Sequence, residues 1–384
     1  MKILITTDLF TVTTNGVVTS VKNLYEELDK RGHDVRILTL SEDIHSHREE
    51  HIYYIRSVPF AVYPDIRMPI AFRHRLMREL IDWKPDIIHS QCEFFSFQFA
   101  EYISKETGAP IVHTYHTLYE QYIKYVFPSR RIGGQLVRTF SRKRLEGVSR
   151  IIAPTKKVEN TLHSYGIVNN MVIVPSGISL TQHQIHIPDE LLRAKRQQLG
   201  ISDDEVVMIN LGRLGTEKNL GELVDFFGKA RKLYNSLVFM IVGDGPAKDD
   251  LIEQASELGV SDKVIFTGMV PPSQVQNYYQ MADVFVSAST SETQGLTYVE
   301  AAANGLPLLC REDLCLQDVL REGENGFAYS DEKEFLEAIK VIAENREWRK
   351  KASEISREIA SEFDKTKFGE AIEKVYKTVI EKNR

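Results

Sequence analysis

The sequence predicts an α/β protein built from two doubly wound parallel-sheet domains. Three observations carry this expectation. Short apolar runs alternate with helical patterns along the whole chain, as βαβ units and a parallel sheet require. The alternation pauses in a polar stretch near 176–200, read here as a linker, and then begins again. The length, 384 residues, suits two domains of ordinary size.

In the first series the strand candidates are 2–6 (KILIT), 34–39 (DVRILT), 86–89 (DIIH), 110–114 (PIVHT), 150–153 (RIIA) and 171–174 (MVIV), with helical patterns between most of them, as at 18–31 and 94–107. The second series places strands at 206–211 (VVMINL), 237–242 (LVFMIV), 263–267 (KVIFT), 283–287 (DVFVS) and 306–309 (LPLL). Its helices are expected near 220–234, 246–258, 272–280, 295–304, 315–321 and 332–344. The last helical stretch spaces Phe368, Ile372, Val375, Tyr376, Val379 and Ile380 along one face. The expected domains are 1–180 and 181–365, followed by a helix at 366–384 that is free to cross back to the first domain.

Composition narrows the class. Hydrophobic residues make up 42% and charged residues 27%, as in a soluble globular protein. No apolar run approaches the roughly 18 residues of a spanning helix. The opening MKILITTDLF reads as a buried strand, because its apolar run is too brief for a signal peptide and lacks a small-residue cleavage site. Cys92, Cys310 and Cys315 are odd in number and form no CxxC pair, so they read as reduced thiols of a cytosolic protein. The net charge of −6 is unevenly spread: residues 1–180 hold 23 Lys and Arg against 19 Asp and Glu, and residues 181–384 hold 25 against 35. Residues 121–150 hold eight basic side chains and one acid, Glu146. Such asymmetry points to an anionic partner for one half, with a solvated basic face as the plain alternative.

Ligands of doubly wound sheets bind beyond the carboxyl ends of the strands, and the polar motifs cluster there. The stretch SASTSETQGLTYVEAAANGLP, 287–307, sets Glu292 and Glu300 eight residues apart across Gly295. Leu296, Val299 and Ala303 continue as an apolar-periodic helix. Open N–H groups at Gly295 and Leu296 would form an anion site at that helix start, and Glu300 would sit inside the helix, able to accept from hydroxyls. Taken alone, Glu300 also fits a surface helix residue. NLGRLGTEKNL puts Arg213 and Lys218 just past a strand end, where two cations suit a diphosphate; a loop-capping Lys218 is the simpler reading. IVGDGP supplies Gly243 and Gly245 but lacks the third glycine of a dinucleotide fingerprint, so Gly243 reads as allowing close packing near a base.

Together GRLGTEKNL, IVGDGP, VIFTGMV and SETQGLTYVEAAANGLP resemble the retaining glycosyltransferases of family GT4, and the resemblance covers essentially the whole chain. It implies a GT-B fold, with two Rossmann-like domains facing a cleft. The family's Glu-x7-Glu pattern falls on Glu292, which would hold sugar hydroxyls, and Glu300, which would hold the ribose. TTNGVVTSVKNLYEELDKRGHDVRILT resembles the family's opening, with Gly16 in the loop that approaches the donor and Asn15 where many members have a second glycine. VPSGISL keeps Gly177 of the interdomain segment but has Ser176 and Ser179 in place of Asn and Asp. IVHTYHTLYEQY, with Thr293 and Gln294 in place of Pro-Phe, is most similar to the bacterial members that act on diacylglycerol. On that match His116 lies near the sugar and acceptor, while His113 reads as a strand-end core residue.

The resemblance implies a UDP-sugar as donor substrate, UDP-glucose foremost, and a diacylglycerol-type acceptor. It implies no cofactor, and the absence of any Asp-x-Asp leads to the expectation that no metal is needed. A lipid acceptor requires an anionic membrane surface, reached from the cytoplasm. Residues 70–84 place Phe72, Leu76, Met77, Leu80 and Ile81 on one helical face, flanked by Arg73, Arg75, Arg78 and Lys84, with Trp83 available for the interface. Residues 128–150 add Arg138, Arg142, Lys143 and Arg144 beside Ile132, Leu136, Val137 and Phe140. Basic amphipathic segments lie on anionic lipid or pack on their own sheet with a polar back. No nucleic-acid motif accompanies them.

Overall fold

The computed structural model describes residues 1–10, 15–59, 67–72, 74–122, 129–168 and 170–383. It divides into two compact units, Met1–Ile178 with Lys365–Arg384, and Ser179–Asp364.

Unit 1 carries strands β1 (Lys2–Thr6), β2 (Asp34–Ser41), β3 (His47–Glu49), β4 (Ile52–Pro59), β5 (Arg67–Pro69), β6 (Ile87–Ser90), β7 (Ile111–Thr114), β8 (Arg150–Ala153) and β9 (Met171–Ile173). They pair in the order β3-β4-β2-β1-β6-β7-β8-β9, with β5 on β4. All pairs are parallel except β3 and β5 against β4. Ile3, Leu4 and Ile5 are buried in succession, because helices cover both faces of a parallel sheet. One face takes Arg75–Trp83, Phe95–Thr107 and Lys156–Ser164. The other takes Gly16–Lys30 and the last helix, Lys365–Asn383, whose Phe368, Ile372, Tyr376 and Val379 pack against Ile3, Val21 and Leu24. Arg31 fixes that last helix through Glu370 at 2.9 Å and Glu373 at 3.3 Å.

Unit 2 carries β10 (Val206–Leu211), β11 (Leu237–Val242), β12 (Val264–Gly268), β13 (Val284–Ser287), β14 (Leu308–Arg311) and β15 (Gly326–Tyr329). They form an all-parallel sheet in the order β12-β11-β10-β13-β14-β15. The chain leaves β10 toward one edge and later returns to β13 to fill the other. The strand order therefore reverses between these two neighbours, which is where such sheets open a ligand crevice. In unit 1 the same reversal falls between β1 and β6.

Two expectations are corrected. The helix expected at 315–321 is a single 3₁₀ turn, Leu314–Leu316. Buried Leu316 and Val319 give the region its helical spacing, but the Asn325 side chain takes the Val319 carbonyl at 3.1 Å and the Arg321 N–H at 2.7 Å, groups a longer helix would pair internally. The stretch 176–200, expected as a linker, contains helices Leu180–His183 and Asp189–Gln198. The second buries no residue; Asp189 and Glu190 at its start and Lys195 and Arg196 at its end complement the helix dipole.

Candidate active site

The loops that follow β10 and β13 flank the crevice position of unit 2. The first loop holds Arg213 and Lys218, the second Glu292 and Gly295. Lys218 ends the 3₁₀ turn Thr216–Lys218, and its Nζ donates to Oε1 of Glu292 at 2.6 Å. The side chains are 26% and 20% exposed, so the pair contributes at most about 1 kcal/mol, and an arriving anion can compete for the ammonium at small cost. The Arg213 guanidinium stands 3.6 Å from Oε1 of Glu217, a side chain only 4% exposed.

Gly295 caps the helix Leu296–Ala303 in the left-handed region, at φ 73°. A Cβ there would fall 2.5 Å from the Tyr298 ring. As N-cap, Gly295 brings no side chain of its own to this N-terminus, and the first turn carries no acid, which suits it to a negative ligand. Gly243 works differently. At φ 132°, a Cβ on it would lie 1.9 Å from the Gly212 carbonyl oxygen. It lets the loop after β11 lie against the one that carries Arg213.

Glu300 lies within the helix Leu296–Ala303, half-buried. Its Oε2 accepts from the Tyr279 hydroxyl at 3.1 Å. Burial pushes its carboxyl up to about 7, and the Tyr279 hydroxyl pulls it back down. Glu300 therefore titrates close to neutral pH.

In unit 1 the residues after β6 and β7 meet. His116 Nε2 lies 2.7 Å from Oε1 of Gln91. Burial, helped by His113, pushes His116 down to about 3, so its ring is neutral, with Nε2–H donating to Gln91. His113 is fully buried, with Nε2 3.2 Å from Oε1 of Glu93. Asp8 follows β1 and takes the Ser96 N–H at 2.7 Å, capping the helix Phe95–Thr107; burial pushes its carboxyl up to about 6. Gly16 is the exposed first residue of Gly16–Lys30, next to Asn15, whose side chain accepts from the Val18 N–H at 2.8 Å.

Comparison with known proteins fits this arrangement. Residues 14–182 match the family model Glycosyltransferase Family 4, and residues 193–359 match Glycosyl transferases group 1. An alpha-monoglucosyldiacylglycerol synthase of Streptococcus pneumoniae is 36% identical over 341 residues, 88% of this chain and 77% of that protein. The protein of the same name from Acholeplasma laidlawii is 31% identical over 100% of this chain and 98% of its own length. The chain belongs to glycosyltransferase family 4. Its fold is GT-B: the Anabaena HepE crystal structure in complex with UDP and glucose matches at a TM-score of 0.79 and 17% identity, covering 98% of this chain and 100% of that one.

The basic segments of the glycosyltransferase sort into exposed and internally paired residues. Arg73 lies outside the described residues. Arg75 is exposed and 3.3 Å from Glu79. The apolar face of its helix is turned inward: Leu76, Met77 and Leu80 are buried. Trp83 is not at an interface; its Nε1 donates to Asp34 at 2.8 Å beneath the Arg36 guanidinium, 4.3 Å from the ring. In Arg130–Leu145, Arg138 donates to Glu120 at 3.1 Å. Arg144 donates to Glu101 at 3.1 Å and lies over Phe97 and Phe140. Arg142 and Lys143 are exposed, as are Ile132 and Leu136. Among the described residues no helix is long and apolar enough to cross a membrane.

The motifs did not point to Gln91, Glu217 or Tyr279. Gln91 sits just beyond the end of β6, so strand-end position could have flagged it, and Glu217 lies four residues from Arg213, a spacing the sequence shows; Tyr279 meets its partner only through the fold.

Proposed function

We propose that this glycosyltransferase moves a hexose, glucose, with retention from a UDP-sugar to diacylglycerol or a glycosyl-diacylglycerol, working peripherally on the cytoplasmic face of a membrane. The observation that carries the donor half is the Lys218–Glu292 pair, 2.6 Å across, in loops that flank the strand reversal of unit 2. The two synthases named above support the acceptor half.

In this reading Arg213, Lys218 and the N–H groups at Gly295 and Leu296 neutralise the donor's diphosphate. Gly243 keeps the Arg213 loop in place, Glu292 takes sugar hydroxyls and Glu300 the ribose. In unit 1, Gly16, the first residue of the helix Gly16–Lys30, is assigned to the donor and His116 to the sugar. The neutral His116 orients hydroxyls by hydrogen bonding and carries no charge. The bond from the anomeric carbon to the β-phosphate oxygen breaks, with its electron pair leaving on that oxygen. The acceptor hydroxyl attacks from the same face, and its proton passes to the departing phosphate. No protein base is then required, and the cations stabilise charge as it grows on the diphosphate.

A second reading keeps the donor chemistry and assigns a polysaccharide intermediate or a small soluble acceptor. The internal pairing of Arg138 and Arg144 favours it, because those cations are partly committed within unit 1. Pelleting with anionic vesicles in low salt separates the two. The lipid reading expects the enzyme in the pellet, and a UDP-sugar screen against diacylglycerol and its monoglycosyl form then names the pair. Protein that stays in the supernatant and glycosylates only soluble acceptors overturns the lipid reading.

A further inference from the structure

Tyr279 lies in the helix Val275–Met281, far from Glu300 in sequence, and no motif singles it out. Its side chain is fully buried, with its ring 6.4 Å from that of Phe285. Its hydroxyl donates to Oε2 of Glu300 at 3.1 Å. An ionised carboxylate offers about four acceptor sites on its two oxygens. Among the described residues no protein donor reaches Oε1 of Glu300. Asn304, from the end of the same helix, spends its amide on the Glu300 backbone carbonyl at 2.9 Å and leaves the carboxylate alone. One oxygen is therefore anchored and the other is left for a ligand.

We infer that Tyr279 is a positioning residue for donor binding, its hydroxyl holding Oε2 of Glu300 so that Oε1 is presented to the ribose hydroxyls of a nucleoside diphosphate. The inference rests on the ribose role proposed above for Glu300.

The other groups packed around this helix leave the carboxylate to Tyr279. His183, from Leu180–His183, is joined to Asn304 at 3.1 Å, and burial pushes it down to about 4, so it is neutral. Arg357, from Arg346–Ala360, reaches the Asn304 carbonyl at 3.4 Å. Cys310 on β14 is a buried thiol. Burial, and next the Glu300 charge, hold the Tyr279 phenol well above its ordinary range, so it remains a donor at any working pH. Its hydroxyl favours the ionised form of Glu300, against burial. Removing it should both loosen the aim of the carboxylate and raise the pH at which Glu300 loses its proton.

The test is calorimetric titration of the full-length enzyme with UDP, 2′-deoxy-UDP and 3′-deoxy-UDP from about pH 6 to about pH 9, either side of the Glu300 titration. Wild type should bind UDP more weakly as pH falls and should discriminate against at least one deoxy analogue. Tyr279→Phe keeps the ring and loses only the hydroxyl. It should bind UDP about tenfold more weakly near neutrality, recover toward alkaline pH with its acid limb about one pH unit higher, and discriminate less. Glu300→Gln should abolish the limb, and Tyr279→Phe should add nothing on top of it. If wild type discriminates but Tyr279→Phe matches it in affinity and limb, Tyr279 does not position Glu300, while the ribose role stands. An equal loss at every pH, with a lowered melting temperature, makes Tyr279 merely structural and overturns the inference. If wild type binds UDP and both deoxy analogues alike, or does not bind UDP, the ribose role falls and takes the inference with it.

Discussion

Replacing Lys218 by alanine separates catalysis from stability. Its ammonium lies 2.6 Å from Oε1 of Glu292, with both side chains partly open to solvent. As a structural pair it contributes at most about 1 kcal/mol, which for a unit of this size moves the melting temperature by about 2–4 °C or less. In the proposed transfer the same ammonium would face a diphosphate whose negative charge grows. Two unit charges about 4 Å apart at an effective dielectric of 20 interact by about 4 kcal/mol, and losing one preorganised donor to a developing anion costs about 2.7–4 kcal/mol. Lys218→Ala also leaves the Glu292 carboxylate uncompensated beside that charge. The expected result is a kcat lowered about a hundredfold or more, with a nearly unchanged melting curve. Steady-state kinetics over a range of donor concentrations, alongside thermal unfolding, measures both. A kcat within about twofold of wild type would remove Lys218 from the reaction. A large loss of stability with proportionate loss of activity would recast it as a structural residue.

Glu300→Gln should raise stability at alkaline pH. A buried carboxyl pushed up to about 7 stabilises the fold below the ordinary carboxylate range, and that contribution is lost as pH rises toward 7. Above that pH the native state holds a costly charge that glutamine does not carry. Thermal melts should show a gain at pH 8, bounded by about 3 kcal/mol, that shrinks toward pH 5; a pH-independent difference would refute the assignment. In the basic helix, Arg142→Gln with Lys143→Gln should weaken binding to anionic vesicles about tenfold or more in low salt, at about 1 kcal/mol per cation near the surface, without altering the melt. Arg144→Gln should lower the melting temperature, because Arg144 holds Glu101 and lies over two phenyl rings. Flotation and unfolding assays check the two effects separately, and vesicle binding that ignores both salt and the exposed pair would leave the helix Arg130–Leu145 a solvated basic face with no part in docking.

The central strands were legible because a buried parallel strand needs a continuous apolar run, as VVMINL and LVFMIV provide. The edge of the unit 1 sheet was not. β3 is the polar triplet HRE, and in β4 only alternate residues such as Tyr53 and Ile55 are buried. The helix Arg75–Trp83 shows why an amphipathic pattern does not decide between membrane and sheet. Periodicity reveals that Leu76, Met77 and Leu80 share a face, but only packing reveals that the sheet covers it. The glycine-capped helix start was readable because Gly295 and its helix are contiguous in sequence. The Tyr279–Glu300 and Gln91–His116 bonds join residues 21 and 25 positions apart on separate elements, a distance that no local spacing rule spans.

The most direct test of retaining transfer to a lipid is the anomeric configuration of the product. Purified enzyme is incubated with UDP-α-glucose and diacylglycerol in anionic vesicles, and the glycolipid is read by NMR. The expected product is a single glucosyl lipid with the α configuration of the donor, lost in Lys218→Ala. A β-linked product would contradict front-face transfer. Absence of any glycolipid from an enzyme that turns over the same donor on a soluble acceptor would contradict the lipid assignment.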